Sequence, residues 1–197
     1  MVIIFHKMVY IIWGIFFLFW AISTLRNSSH TARRESLFSR LLYLGLLGIA
    51  ISLIVFDPFI YGPLLWRILP EWSVLTLIGF AILILGLGFA VWARLYLGRY
   101  WSARIVLTEG HQLIQTGPYR LRRNPIYFGG LAGVIGTAIV IGEVREELAI
   151  LFVLFALLWK IKLEEEFLGE RFGSSYLEYK KKVKSLIPFV YLVQAAH

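Results

Sequence analysis

Five uncharged stretches stand out in this chain, and their lengths limit what it can become. They are Met8–Leu25 (18 residues), Leu41–Phe56 (16), Trp72–Ala93 (22), Pro125–Gly142 (18) and Leu148–Trp159 (12). A helix needs about 20 apolar residues, with a range of about 17–25, to cross the hydrocarbon of a bilayer. The first, third and fourth stretches meet that length. The second does so once Leu37 and Phe38 extend it past Arg40, whose guanidinium can snorkel to the interface. The fifth spans only if its helix runs on through Lys160 and Lys162 into Glu164–Glu166, against protein or at the membrane edge. The expected fold is an all-α integral membrane protein of about five transmembrane helices. Three of them fall in residues 1–96. Residues 97–197 carry a cytosolic loop, a helical hairpin and an amphipathic C-terminal helix, all within one domain.

Composition agrees with a bilayer. Hydrophobic residues make up 59% of the chain and charged residues 16%, against about 45–50% and about 25% in soluble domains. The apolar excess excludes disorder, and the absence of cysteine excludes a disulfide scaffold. The first stretch lacks a small-residue cleavage site and reads as a retained helix, not a signal peptide. A net charge of +8 would suit nucleic acid only on a soluble basic face, and here the basic residues lie between apolar runs. Residues 26–40 carry +3, residues 94–124 carry +5 and the tail from Lys160 carries +2, whereas residues 57–71 carry −1 and residues 143–147 carry −2. Basic segments stay on the cytoplasmic side. The N-terminus is therefore expected outside the cytoplasmic membrane, with the C-terminus and both long basic segments inside.

The seven tryptophans fall mostly near span ends, as in an interfacial belt. The glycines within the spans read as packing positions, and Gly129 and Gly133 have the spacing that lets helix backbones approach. Gly129 is set apart from that reading because it adjoins a polar motif.

Several chemistries are absent. The four histidines are scattered and have no cysteine partners, so no metal site is expected. Gly86-Leu87-Gly88 lies inside a predicted span and is no dinucleotide fingerprint. No GxSxG elbow occurs.

Polarity concentrates in two segments. In the first, Leu97–Tyr127, Ile105–Leu107 and Gln112–Gln115 are short β-like stretches joined by a turn-rich link. Asn124-Pro125 then reads as a helix start, with Asn at the N-cap and Pro at the first helical position. Free N–H groups there, preceded by Arg120, Arg122 and Arg123, favour an anion. The bland alternative is a basic loop touching headgroups, with Tyr119, Asn124 and Tyr127 as anchors and cap. In the second segment, Lys160–Pro188, three glutamates end an apolar helix, where carboxylates are costly unless paired. Lys160–Glu164 and Lys162–Glu166 have i,i+4 spacing, which leaves Glu165 without a local partner and makes Glu164 a solvated, salt-bridged helix end. Ser175–Glu178 matches a capping box that starts a new helix past Gly173. That helix, with Tyr176, Tyr179 and Val183 on one side and Lys180–Lys184 toward headgroups, reads as an amphipathic interfacial element.

These two segments resemble the isoprenylcysteine carboxyl methyltransferase family and its phospholipid methyltransferase relatives. The first block reads Gly110-His111-Gln-Leu113, Gly117-Pro118-Tyr119, Arg123-Asn124-Pro125-Ile-Tyr127-Phe-Gly129. The second reads Glu165-Glu166-Phe-Leu168, Phe172-Gly173-Ser-Ser-Tyr176, Tyr179, Val183 and Ile187-Pro188. The resemblance implies an integral membrane enzyme that transfers a methyl group from S-adenosylmethionine to a lipophilic acceptor, a prenylated cysteine or a phospholipid. It implies a cytosolic pocket formed by the 97–127 loop and the C-terminal helices. His111, Leu113, Tyr119, Arg123, Asn124, Pro125, Tyr127 and Glu165 would bind the cofactor there. Glu165, Glu166 and Lys160 are the candidates for catalysis: Glu165 or Glu166 would take a proton from an amine acceptor, and Lys160, Lys162 or a nearby arginine would steer a carboxylate acceptor. The family has His where this chain has Asn124, and Asn cannot carry a proton. Two other readings are an NADPH-dependent lipid or sterol-type reductase, whose C-terminal pattern is similar, and a non-catalytic lipid-binding membrane protein.

Overall fold

A computed structural model describes residues 2–26, 36–55, 62–98 and 113–186. They form helices α1 (Val2–Arg26), α2 (Leu37–Val55), α3 (Ser73–Leu97), α4 (Pro118–Leu121), α5 (Pro125–Ile141) and α6 (Val144–Lys182), with a 3-10 turn at Gly62–Leu65. No strand occurs among the described residues. Leu113, Ile114 and Gln115 lead without regular structure into the turn at Gly117. Ile105–Leu107, Gln112 and His111 lie outside the described residues.

Helices α1, α2 and α3 are long and apolar enough to cross a membrane, and α5 is a shorter apolar helix of 17 residues. The fifth stretch lies in α6, which runs unbroken from Val144 through Lys160, Lys162 and Glu164–Glu166. At 1.5 Å per residue, Glu164 lies about 30 Å along the axis from Val144, which equals the thickness of the hydrocarbon. The helix breaks at Gly173 (φ 51°, ψ −126°), a backbone conformation closed to side chains with a Cβ. The remainder of α6 thereby turns back toward α4, two residues before the position expected for the new cap.

The bundle interleaves its two halves. Helix α2 packs on α6, α3 packs on α5, and α1 rests on α3 and α5. One apolar core combines Ala50 and Ile54 of α2, Leu131 and Val134 of α5, and Ala149, Val153, Leu157 and Ile161 of α6. A second joins Val9 of α1 to Leu83, Leu87 and Val140. Inside it the Trp13 indole donates to Thr137 Oγ1 at 2.9 Å, and that hydroxyl donates to Gly133 O at 3.0 Å, so both of these donors are satisfied within the apolar interior.

Small residues let α3 and α5 touch backbone to backbone. A Cβ on Gly86 would lie 2.8 Å from Gly133 N, and one on Gly136 would lie 2.6 Å from Gly79 O. Gly129 belongs to the same seam, since its Cβ would fall 2.7 Å from Ala90 N. The structure thus gives Gly129 a packing role along with its place beside the polar motif.

The α5–α6 corner is built on Gly142 (φ 74°, ψ 23°), whose N–H reaches Ala138 O at 2.7 Å. Residues 66–69 pair with this corner through Ile68 N to Gly142 O (2.8 Å) and Val144 N to Trp66 O (3.1 Å). Buried Arg145 meets Glu143 at 2.8 Å and Glu146 at 3.1 Å, and donates to Leu53 O at 3.4 Å. The corner is thereby tied to the end of α2.

The α3–α5 seam yields a prediction. Gly136→Ala should destabilise the protein in detergent by about 1–3 kcal/mol through overpacking. Gly130→Ala, where a Cβ meets nothing within 4 Å, should be neutral or slightly stabilising. Thermal unfolding of the two variants checks the contrast, and equal Tm values would contradict it.

Candidate active site

At the end of the bundle opposite the Gly142 corner, three pieces of chain converge: the α4–α5 junction, the Glu164–Glu165 turn of α6, and the segment after Gly173. Arg123 joins them. Its Nε and Nη2 donate to Glu165 Oε1 at 3.1 and 2.8 Å, and its Nη1 donates to Lys180 O at 2.9 Å and Val183 O at 2.7 Å. Its backbone N–H donates to Lys184 O at 3.0 Å. The side chains of Arg123 and Glu165 are only 9% and 13% exposed, so this charge-assisted pair, with two guanidinium nitrogens on one carboxylate oxygen, works where water screens it little. Lys180 Nζ lies 3.1 Å from Glu165 Oε2. The glutamate without a local partner in sequence therefore holds two cations from distant parts of the chain.

Asn124 is the N-cap residue of α5, but its side chain makes no capping hydrogen bond. Its Nδ2 instead donates to Ser185 Oγ at 2.8 Å and approaches Glu165 Oε1 at 3.5 Å. Pro125 at the first helical position has no N–H to orphan, so the open backbone donors of α5 are those of Ile126 and Tyr127. Arg122 lies over the Phe128 ring at 4.8 Å.

Tyr127 donates its hydroxyl to Glu164 Oε1. The two carboxylates that meet the α5 start are therefore Glu164 and Glu165, while Glu166 is exposed. Successive residues on a helix stand about 100° apart, so three consecutive glutamates cannot share one face. Glu164, expected as a solvated helix end, is a half-buried acceptor, and Glu166 is displaced from the site. Lys160 is one turn before Glu164, with Nζ 4.7 Å from the ring centroid of Tyr43 on α2.

Tyrosines form the wall. Buried Tyr119 reaches Ala93 O at 3.4 Å, and Tyr179 donates to Tyr119 O. Tyr176 and Tyr179 stand 6.3 Å apart, centroid to centroid. Burial first, then Glu164, pushes the Tyr119 phenol far above its ordinary value. Tyr179 is pushed up to about 12 by burial, with Arg123 opposing and Glu165 reinforcing the shift. These phenols stay protonated donors across the physiological range. Leu113 is half-buried ahead of the Gly117 turn.

The structure thus brings together Tyr119, Arg123, Asn124, Pro125, Tyr127 and Glu165. It adds Glu164, Lys180, Ser185 and Tyr43 to them. Tyr176 and Tyr179, expected on an interfacial helix, line the same wall. The spacing of Tyr176 and Tyr179 on the post-Gly173 helix was a usable signal for their shared face. Nothing local in the sequence marks Lys180, Ser185 or Tyr43.

A model of the phospholipid methyltransferase family matches residues 74–175, about half of the chain. A probable protein-S-isoprenylcysteine O-methyltransferase of Oryza sativa subsp. indica is 35% identical over 130 residues, covering 64% of this chain and 68% of that protein. The protein-S-isoprenylcysteine O-methyltransferase of Saccharomyces cerevisiae is 35% identical over 123 residues, covering 58% and 49%. Among solved structures, a eukaryotic intramembrane Ras methyltransferase, isoprenylcysteine carboxyl methyltransferase, matches with a TM-score of 0.52 and 24% identity over 80% of this chain and 54% of that one. That likeness supports the membrane fold. The family model and these relatives are methyltransferases by name, and the reductase reading gains no support from them. By motif, by relatives and by fold, the chain belongs to the phospholipid methyltransferase family of integral membrane methyltransferases, in its isoprenylcysteine carboxyl methyltransferase-like branch.

Proposed function

We propose that this protein uses S-adenosylmethionine to methylate the carboxylate of a lipid-tailed acceptor of the prenylated-cysteine type, at the cytoplasmic edge of the membrane. The observation that carries the reading is the pair Glu164 and Glu165, set against the start of α5 at about the thickness of the hydrocarbon from the far end of α6. Two carboxylates there suit a ligand with a sulfonium and an ammonium. The Ile126 and Tyr127 N–H groups and Asn124 suit its carboxylate. Tyr119, Tyr127, Pro125 and Leu113 supply aromatic and apolar walls, and His111 belongs to the same set by its motif position. When bound, the cofactor supplies an activated methyl group.

The chain's own part is alignment and exclusion of water. Glu165 is fixed by Arg123 and Lys180, and Arg123 also holds the chain after Gly173 over the site. Arg123 spends its donors on protein acceptors, so its role in this reading is to order the pocket. Holding the reacting partners in line lowers the barrier chiefly by orientation, and a site shielded from water strengthens its electrostatics. A carboxylate acceptor needs no general base. Both Glu165 oxygens are engaged by cations, which suits that chemistry. An amine acceptor, as the family's phospholipid name suggests, would instead call on Glu164. In this reading the N-terminus lies outside and the C-terminus inside, as the charge distribution favours, and α5 and α6 add two spans to the first three.

Calorimetry on the detergent-solubilised chain should show S-adenosylmethionine binding, weakened about 10- to 100-fold in Glu165→Gln by loss of charge-assisted contacts. No binding in the wild type, or preferential binding of NADPH, would overturn the reading. With labelled cofactor, an N-acylated S-prenylcysteine should accept the methyl group and phosphatidylethanolamine vesicles should not; the reverse would assign the amine.

Arg123→Ala should cost about 3 kcal/mol of stability, since it leaves Glu165 with one cation and strands the carbonyls of Lys180 and Val183. Arg123→Lys should restore charge but not the fork, and so recover only part of the Tm. A full recovery in Arg123→Lys would show that the hydrogen-bond geometry is dispensable.

A further inference from the structure

The N-terminal helices lie largely outside the region matched by the family model, yet one of their side chains reaches the site. Tyr43 is 4% exposed on the face of α2 that also buries Ala50 and Ile54 against α6. Those two are apolar, and a phenol on the same face stands out. Over its ring lies the Lys160 ammonium, 4.7 Å from the centroid, within the reach of a cation–π contact.

Lys160 occupies a particular level of the molecule. Below it on α6 are the buried Leu157 and the lipid-exposed Phe155 and Leu151, and Trp159 beside it is 37% exposed, as at a membrane interface. One turn above it Glu164 takes the Tyr127 hydroxyl, at the α5 start. The ammonium therefore lies between the apolar flank and the proposed methyl-transfer site. Its three N–H donors allow it to face the ring and still bind an anion.

We propose that Tyr43 is a positioning residue that sets Lys160 as the anchor for the terminal carboxylate of the lipid-tailed acceptor. The ring fixes a long, flexible side chain at the level where that carboxylate emerges from hydrocarbon, which removes rotamer freedom before the acceptor arrives. The proposal rests on the methyltransferase reading above and adds to it a contribution from the N-terminal half of the chain.

The test uses the full-length protein in detergent. Acylation of Lys160 by a lysine-reactive reagent, followed by mass spectrometry, should slow at least about fivefold with an N-acylated S-prenylcysteine, in keeping with a 1:1 anion contact. It should not slow with the methyl ester of the same compound. Equal protection by acid and ester would overturn the proposal, because the tail alone would then be shielding the lysine. Tyr43→Leu should raise the KM for the S-prenylcysteine on the order of tenfold, with kcat and S-adenosylmethionine affinity near wild type, and Tyr43→Phe should restore it. If Tyr43→Leu does not fold, Tyr43→Met serves as the second ringless variant. Unchanged KM and unchanged protection in a folded ringless variant would also overturn the proposal. Absence of cofactor binding in the wild type would instead sink the methyltransferase reading, and the acid-against-ester contrast would still stand or fall on its own.

Discussion

The contact on which the proposed site depends is the one between Arg123 and Glu165. A carboxylate at the end of a membrane helix is costly unless it is paired, and Glu165 is paired from two directions, by Arg123 and Lys180. Because the arginine also donates to the carbonyls of Lys180 and Val183, one guanidinium binds three pieces of chain. The α4–α5 junction, the body of α6 and the segment beyond Gly173 are held in one arrangement by it. Removing Glu165 would leave Arg123 a largely buried charge without its carboxylate, which is the expensive outcome in a medium of low dielectric.

The rest of the bundle serves this arrangement. Backbone contact between α3 and α5, made by glycines and alanines, fixes where the α5 start stands. The Gly142 corner and the Arg145 cluster fix where α6 begins. Since α6 is a single helix from there to Gly173, the position of Glu164 and Glu165 follows from its rigid rise. The α2–α6 core brings Tyr43 to Lys160 by the same logic. Chemistry at one end of the molecule is thus set by packing at the other.

Much of this was legible in the residues. The uncharged runs foretold the helices because hydrocarbon admits only segments that satisfy their own backbone. Asn124-Pro125 foretold the α5 start, and the motif blocks foretold that Tyr119, Arg123, Tyr127 and Glu165 would meet. Less legible was which of three adjacent glutamates would face inward. Local i,i+4 spacing left Glu165 alone, whereas the fold gave it two cations; the Tyr127 hydroxyl on Glu164 is likewise a contact that no local spacing contains. Spacing also suggested a side-chain cap at Asn124. Its amide goes instead to Ser185, 61 residues away, a partner no local pattern contains.

By itself the sequence determined that the chain lives in a bilayer, which segments are helical, which family it joins and where its polar chemistry lies. Those properties depend on composition and short-range period, which are written along the chain. Tertiary structure alone decided the partners: Arg123 on carbonyls beyond Gly173, Glu164 on Tyr127, and Lys160 on a ring from α2. Each of those contacts depends on the angle and depth at which two helices cross. That in turn rests on a few glycines too small to keep the backbones of α3 and α5 apart.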